Sequence, residues 1–229
     1  MTKLGIITGM VFEASILRRA ATALPAHARP MIICLGFGRE AARAGASEAV
    51  SQGATALMSF GIAGGLDPAL VAGDVVLASA VHDAARALPC DQSWTERLRA
   101  GLTLRTIDAA IAHASRILVT PEDKAALRAA THTAITDMES FGVGEIALRH
   151  GLAFTAVRVV ADGAADAVPA IALKAATASG HVDMLKSLGG ALLHPTQIPA
   201  LIRLGRRTDA ARQSMRLLAD LGLARSFFL

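Results

Sequence analysis

The chain alternates short, unbroken apolar runs with longer alanine-rich stretches, and this alternation restricts its fold more than any other feature of the sequence. The runs with strand character are Leu4 to Thr8, Met31 to Leu35, Ala56 to Phe60, Val75 to Ala80, Ile117 to Thr120 and Phe154 to Val160. Between several of them lie the helix candidates Glu13 to Ala23, Arg39 to Gln52, Lys124 to Ala130 and Glu139 to His150. Strands that are apolar throughout are covered on both faces, and strands that alternate with helices tend to pair in parallel. The expected class is therefore α/β. One such sheet with its helices accounts for 229 residues, so 1–229 is expected as a single domain.

From Pro169 onward the pattern changes to helix-like segments separated by Gly189-Gly190, Pro195 and Pro199, which makes 169–229 a helical C-terminal segment of that domain. Its last helix candidate, about Ile198 to Leu223, sets Arg203, Arg206, Arg207, Arg212 and Arg216 among regularly spaced leucines. Such a basic amphipathic helix reads in two ways. Its apolar face lies on the core as in an ordinary surface helix, or it makes a peripheral membrane contact.

Composition removes several classes of function. With 53% apolar and 18% charged residues there is material for a large core and no case for disorder. The mean hydropathy of +0.46 invites a membrane span. Every apolar stretch, however, is broken by charge, Gly or Pro before the roughly 18 residues a span requires. Leu4-Gly5-Ile6-Ile7 follows the N-terminus without a basic region or a cleavage site of the secretory kind, so a cytoplasmic protein is expected. The net charge of +4 and pI near 9.7 would suit nucleic acid, anionic lipid or a phosphorylated ligand. Only 3% of residues are aromatic, too few for a platform that stacks single-stranded bases, and no nucleic-acid partner is expected. Cys34 and Cys90 read as reduced thiols, and His82, His113, His132 and His181 lack metal-ligand spacing. No metal and no cofactor are expected, with phosphate kept open as a co-substrate.

Five short motifs carry polar chemistry. Gly36-Phe37-Gly38-Arg39-Glu40-Ala41 follows a strand candidate and opens a helix, as a dinucleotide fingerprint does. The acid that should hold a ribose about 20 residues on is missing from Ala56-Leu57-Met58-Ser59-Phe60, which demotes a hydride-transfer enzyme. Gly61-Ile62-Ala63-Gly64-Gly65-Leu66, with Gly73-Asp74-Val75-Val76 after it, ends a buried strand in glycines. They permit close approach to a ligand or simply make a turn. In Thr136-Asp137-Met138-Glu139-Ser140, helix capping explains Asp137. Glu139 is left as a carboxylate suited to gripping vicinal ribose hydroxyls. Val157-Arg158-Val159-Val160-Ala161-Asp162-Gly163 and Gly9-Met10-Val11-Phe12-Glu13 each place an acid just beyond a strand. Ligands of open α/β sheets collect at that edge.

Taken in order, Gly-Met-x-x-Glu, Gly-x-Ala-Gly-Gly-Leu with Gly-Asp-Val-Val, Asp-Met-Glu-Ser and Val-Arg-x-x-x-Asp resemble the superfamily of nucleoside phosphorylases and nucleosidases. It includes methylthioadenosine and adenosylhomocysteine nucleosidases and the hexameric-type purine nucleoside phosphorylases. The resemblance spans about residues 3 to 165. It implies a three-layer α/β/α phosphorylase-like fold with a central mixed sheet, and an enzyme acting on a purine nucleoside. By position, Asp162 matches the acid that protonates the leaving purine, and such acids often have a pKa raised by burial. Glu139 matches the carboxylate on the ribose hydroxyls, and Met138 the residue packed on the sugar. Glu13 matches the acid that activates water in the hydrolytic members. Met10, Ile62, Ala63, Gly64 and Ala161 are the remaining substrate-binding candidates.

A carboxylate at the nucleophile position suits water and repels phosphate, which favours hydrolysis. Phosphorolysis stays open, with Arg39 and Arg43, or Arg18 and Arg19, as phosphate-binding candidates. A non-catalytic nucleoside-binding protein would have no need of the acid. Two departures set the chain apart from the methylthioadenosine enzymes, since Ile62 and Ala161 stand where those carry serine. These replacements and the arginine-rich tail resemble the hopanoid-associated branch, whose substrate is adenosylhopane, an adenosine joined to a pentacyclic lipid. In that reading the basic tail docks on anionic headgroups. The resemblance also implies a homo-oligomer.

Overall fold

A computed structural model describes residues 3–168, 198–225 and 227–228 of the chain. The order of elements is β1 (Leu4–Thr8), α1 (Val11–Ala21), a 3-10 turn (Ala26–Ala28), β2 (Met31–Cys34), α2 (Arg39–Ser51) and β3 (Ala56–Gly65). There follow β4 (Val75–His82), β5 (Ala87–Pro89), α3 (Gln92–Gly101), β6 (Thr106–His113) and α4 (Pro121–Thr131). β7 (Ile135–Asp137), α5 (Ser140–Arg149), β8 (Ala153–Asp162) and α6 (Ile198–Arg225) complete it.

The strands form one mixed sheet of eight. β2, β1 and β3 run parallel, with Ile6 paired to Ile32 on one side and to Met58 on the other. β8 lies parallel to β3 and antiparallel to β4, β4 is parallel to β6, and β6 to β7. β7 then returns antiparallel to β3 at Gly64 and Gly65. The strands β3, β8, β4, β6 and β7 thus close a ring. Going once round a ring must restore the strand direction, so reversals come in pairs, here β8 with β4 and β7 with β3. The resemblance implied a mixed sheet, and these two antiparallel pairs, with β5 antiparallel to β4 beside them, are what make it mixed.

Successive side chains of a strand point to opposite faces, and the two faces are covered by different helices. Ile7, Leu57 and Val76 join Phe141 and Ile146 in the core under α2 and α5. Ile6, Met58 and Leu77 join Leu17, Trp94, Met215 and Leu218 in the core under α1, α3 and α6. Each large apolar side chain so buried contributes roughly 1.5–3 kcal/mol.

The basic helix uses its apolar stripe for this core. Ala211, Met215, Leu218 and Ala219 are buried at helical spacing, and the chain end returns Phe227 edge-on to Phe60 at 6.0 Å. Trp94 Nε1 donates to the Phe227 carbonyl at 3.0 Å. Arg207 pairs with Asp166 at 2.7 Å and Arg212 stacks over Phe12 at 5.2 Å, while Arg216 is exposed. The side chains of Arg203 and Arg206 lie outside the described residues, as do Pro169, His181, Gly189-Gly190 and Pro195. Among the described residues no helix is long and apolar enough to cross a membrane.

Every apolar run but one proves to be a strand. Ile117 to Thr120 is a loop, and the strand of that region is β6, whose Thr106 and Asp108 interrupt its apolar character. The loop is apolar because Ile117 and Leu118 line a pocket.

Candidate active site

β3 positions the site. Near its C-terminal end it pairs with β7 on one edge and with β8 on the other, so Gly64 stands opposite both Thr136 and Asp162. A register shift between Ala63 and Gly64 marks a bulge, a device that re-aims neighbouring side chains. The result is a pocket of about 260 Å³. Met10, Glu13, Ile62, Ala63, Gly64, Met138, Glu139, Ala161 and Asp162 all line it, so the residues singled out from four separate motifs meet in one cavity.

Glu13 lies in the first turn of α1 and is buried. Its Oε2 accepts from the amides of Gly9 at 3.0 Å and Met10 at 2.9 Å, and its Oε1 accepts from Ile62 at 2.9 Å. Burial lifts its carboxyl from 4.5 to about 7, helped by the charge of Glu139 and opposed by Arg158 and the amides. A Cβ on Gly61 would stand 2.7 Å from Glu13 Oε1 and 2.8 Å from Arg158 Nη1. The glycine is therefore what lets the carboxylate and the guanidinium approach the strand.

Glu139 accepts from the Gly38 amide at 2.9 Å through Oε1. Gly38 has φ of 96°, a conformation that favours glycine, so the Gly36-Phe37-Gly38 motif serves here to present an amide to Glu139. Burial raises the Glu139 carboxyl, the charge of Asp137 adds to this, and Arg158 opposes it.

Beneath the pocket Arg158 is fully buried. Its Nε donates to Asp137 at 2.5 Å, and its Nη2 donates to Ser59 Oγ at 2.6 Å and Ser140 Oγ at 2.9 Å. Glu139 Oε2 lies 3.9 Å from the same Nη2. Asp137 also accepts from the Ser140 amide at 3.2 Å, so the capping role expected for it is joined by a buried ion pair. Motif reading left Arg158 without a role, since a lone arginine in an apolar strand carries no partner in its neighbourhood of sequence.

Asp162 occupies the far end of β8 and forms a short ion pair with Lys124, which is itself buried to 1% exposure. Lys124 also donates to the carbonyls of Gly163 at 2.8 Å and Asp166 at 2.9 Å. Burial raises the Asp162 carboxyl above its ordinary value and Lys124 pulls against that rise. Lys124 was missed in the sequence, where it reads as one charged residue of an amphipathic helix.

Arg39 and Arg43 do not line the pocket. Arg39 pairs with Glu145 at 2.7 Å and with Asp83 at 3.4 Å, its guanidinium over Phe141, and Arg43 pairs with Glu40 at 3.2 Å. Arg18 and Arg19 are exposed. A larger groove of about 670 Å³ runs past Pro121 and His132, but its charged side chains Arg128 and Asp67 pair with each other at 2.8 Å. The smaller pocket is the one where desolvated carboxyls converge, which makes it the candidate site.

Residues 26–184 match the model of a family described as the phosphorylase superfamily. No curated protein matches the sequence. Among solved structures, the chain is similar to the 5′-methylthioadenosine/S-adenosylhomocysteine nucleosidase of Campylobacter jejuni. The TM-score is 0.71 at 14% identity, over 98% of this chain and 100% of that one. The nucleosidase of the same description from Colwellia psychrerythraea, in complex with adenine, gives 0.68 at 18% identity over 98% and 96%. The native futalosine hydrolase of Helicobacter pylori gives 0.68 at 13% identity over 96% and 97%. At these identities the likeness establishes the fold, an α/β arrangement with a mixed central sheet and a C-terminal helix.

Proposed function

Because this chain belongs to the phosphorylase superfamily, and is thus a glycosidic-bond hydrolase or phosphorylase, we propose that it is a purine nucleosidase that releases adenine by hydrolysis. The observation that carries the reading is Glu13, a desolvated carboxyl held by three backbone amides in the same pocket as Asp162 and Glu139. A base whose pKa lies near 7 is about half ionised and still basic at neutral pH, the condition that general-base catalysis favours.

In this reading Asp162 gives its proton to the imidazole-ring nitrogen of the purine as the bond from the sugar carbon to the base breaks, its electron pair leaving with the base. The sugar becomes oxocarbenium-like. Water adds to that carbon and gives its proton to Glu13, and solvent exchange returns the proton to Asp162. Glu139 holds the ribose hydroxyls and Met138 packs on the sugar. No cofactor is needed. Among the described residues the cations lining the pocket are Arg116 and Lys124, each paired with a carboxylate, which supports water over phosphate as the nucleophile.

For the substrate we propose adenosylhopane. The apolar wall of Phe37, Ile62, Ile117, Leu118 and Val168 supports a lipid substituent on the ribose. The single-domain reading, the homo-oligomer and the peripheral membrane contact belong to the same proposal. The experiment is adenine release from adenosylhopane in detergent and from 5′-methylthioadenosine, each with and without phosphate. Cleavage of the lipid substrate alone supports the reading, and acceleration by phosphate converts it to a phosphorylase. Efficient cleavage of methylthioadenosine makes the protein a general nucleosidase. Release of adenine from neither refutes the substrate class.

A further inference from the structure

We propose that Lys124 is a positioning residue for Asp162: it ties up Oδ2 and stabilises the carboxylate that remains when Oδ1 has given its proton to the leaving base. The inference rests on Asp162 being the acid. It concerns a residue that none of the pocket motifs contains.

The placement of Lys124 is costly unless something requires it. It follows Pro121 closely in α4, near the end of the helix where exposed amides make the potential positive, which disfavours a cation. It is also buried, and a buried ion pair is weak support for stability, since an apolar pair of similar volume often serves as well. The ammonium group has three protons, and all three are engaged by Asp162 Oδ2, the Gly163 carbonyl and the Asp166 carbonyl. Lys124 therefore has no proton left for a ligand. Its effect must pass through Asp162. Among the described residues no hydrogen bond reaches Asp162 Oδ1, which makes that oxygen the one to face a base in the pocket.

The charge balance around Asp162 singles out Lys124 as well. Asp166, on the loop after β8, opposes ionisation of Asp162, while Arg207 of α6 favours it and is itself paired with Asp166. Those two charges largely cancel. A carboxylic acid buried with no cation would hold its proton too firmly to yield it to a purine nitrogen. Lys124 offsets the desolvation, so that the proton transfer leaves an ion pair rather than an isolated buried anion.

The test uses the full chain labelled with ¹³C at aspartate carboxyls, with Asp162→Asn to assign the resonance. In Lys124→Met and Lys124→Gln the Asp162 titration moves to higher pH by about one to three pH units. Lys124→Arg, which keeps the charge, holds it near the wild-type position. Glutamine can still donate to one of the two carbonyls, so it provides the measurement if the methionine variant does not fold. An unchanged midpoint in the neutral variants overturns the proposal. A kinetic arm compares adenine release with release from 4-nitrophenyl riboside, whose leaving group needs no proton. Loss in the neutral variants falls on adenine release about tenfold more heavily, and equal loss on both substrates overturns the role. A wild type that releases adenine from neither methylthioadenosine nor adenosylhopane refutes the proposed function. The carboxyl titration then still decides what Lys124 does to Asp162.

Discussion

Replacement of Glu13 by glutamine separates the chemistry of this carboxyl from its contribution to stability, because the two are expected to change in opposite directions. A rise from 4.5 to about 7 on folding means that the ionised form is disfavoured by about 3 kcal/mol above pH 7. Between those two values the folded protein binds the proton more tightly than the unfolded chain. The contribution of Glu13 to stability is therefore full below pH 4.5 and is lost as pH climbs to about 7. Glu13→Gln removes this dependence. Its amide nitrogen, however, cannot accept, so either Ile62 or the Gly9 and Met10 pair loses its acceptor, at roughly 1–3 kcal/mol for an unmet buried donor. The variant should be less stable than wild type at pH 5 and recover about 2.5 kcal/mol relative to it by pH 8, read from urea unfolding at both pH values. In the wild type adenine release should rise with pH to a plateau above about 7, where Glu13 is ionised. The variant should lose roughly 10²–10⁴-fold of that rate at pH 8. A variant that hydrolyses at the wild-type rate refutes the role of Glu13 as base. A stability difference that does not move with pH refutes its desolvation.

Asp162→Asn should lower kcat by roughly 10²–10⁴-fold, and wild-type turnover in that variant would remove Asp162 as the acid. At pH values high enough to ionise Asp162 it should also cost about 3–5 kcal/mol in chemical unfolding, because the Lys124 ammonium is then left buried without a carboxylate. Glu139→Gln should raise KM about tenfold while the fold persists, since a charged acceptor for the ribose hydroxyls is lost; an unchanged KM contradicts the assignment. Gly61→Ala places a methyl group 2.7 Å from Glu13 Oε1 and should lower both stability, by about 1–3 kcal/mol, and the rate of adenine release. A fully active and equally stable Gly61→Ala protein would show that Glu13 and Arg158 have room to move.

The layers and the pocket were legible in the sequence to different degrees. β1, β2, β3, β4 and β8 announce themselves as continuous apolar runs because both faces of each are covered. β6 carries Thr106 and Asp108 among its apolar residues, while β5 and β7 have three residues each, so neither periodicity nor length distinguishes them. α3 begins with Gln92 behind the Asp91 cap and buries little besides Trp94, Thr95 and Leu98, a stripe too narrow to stand out. The candidates that line the pocket stood out because each lies in a short polar motif beside a strand end, where local sequence carries the signal. Arg158 and Lys124 were not, for a physical reason. A buried charge is explained by its partners, and those are 21 residues from Arg158 in Asp137 and 38 from Lys124 in Asp162. The role of the glycine motif at Gly36 was illegible for the same reason, since the acceptor of the Gly38 amide, Glu139, is 101 residues away.

These distant partners give the pocket a polarity that bears on the nucleophile. At the end proposed for the sugar Glu13, Asp137 and Glu139 surround the guanidinium of Arg158, so with Glu13 and Glu139 ionised the carboxylates outnumber the cation. At the end proposed for the base Asp162 faces Lys124, and with Asp162 protonated that end is positive. Breaking the bond between sugar and purine moves positive charge onto the ribose and negative charge onto the base, so the field of the protein runs along the charge separation of the transition state. Unit charges about 4 Å apart interact by roughly 4 kcal/mol near a protein surface, enough for this alignment to matter to the rate. A phosphate dianion entering beside Glu13 would meet the same field with the wrong sign, whereas water meets only a base. The two ends also need opposite protonation, Glu13 without its proton and Asp162 with its own. Ionisation of Asp162 should therefore close the activity at high pH, and Lys124 sets where that closure falls.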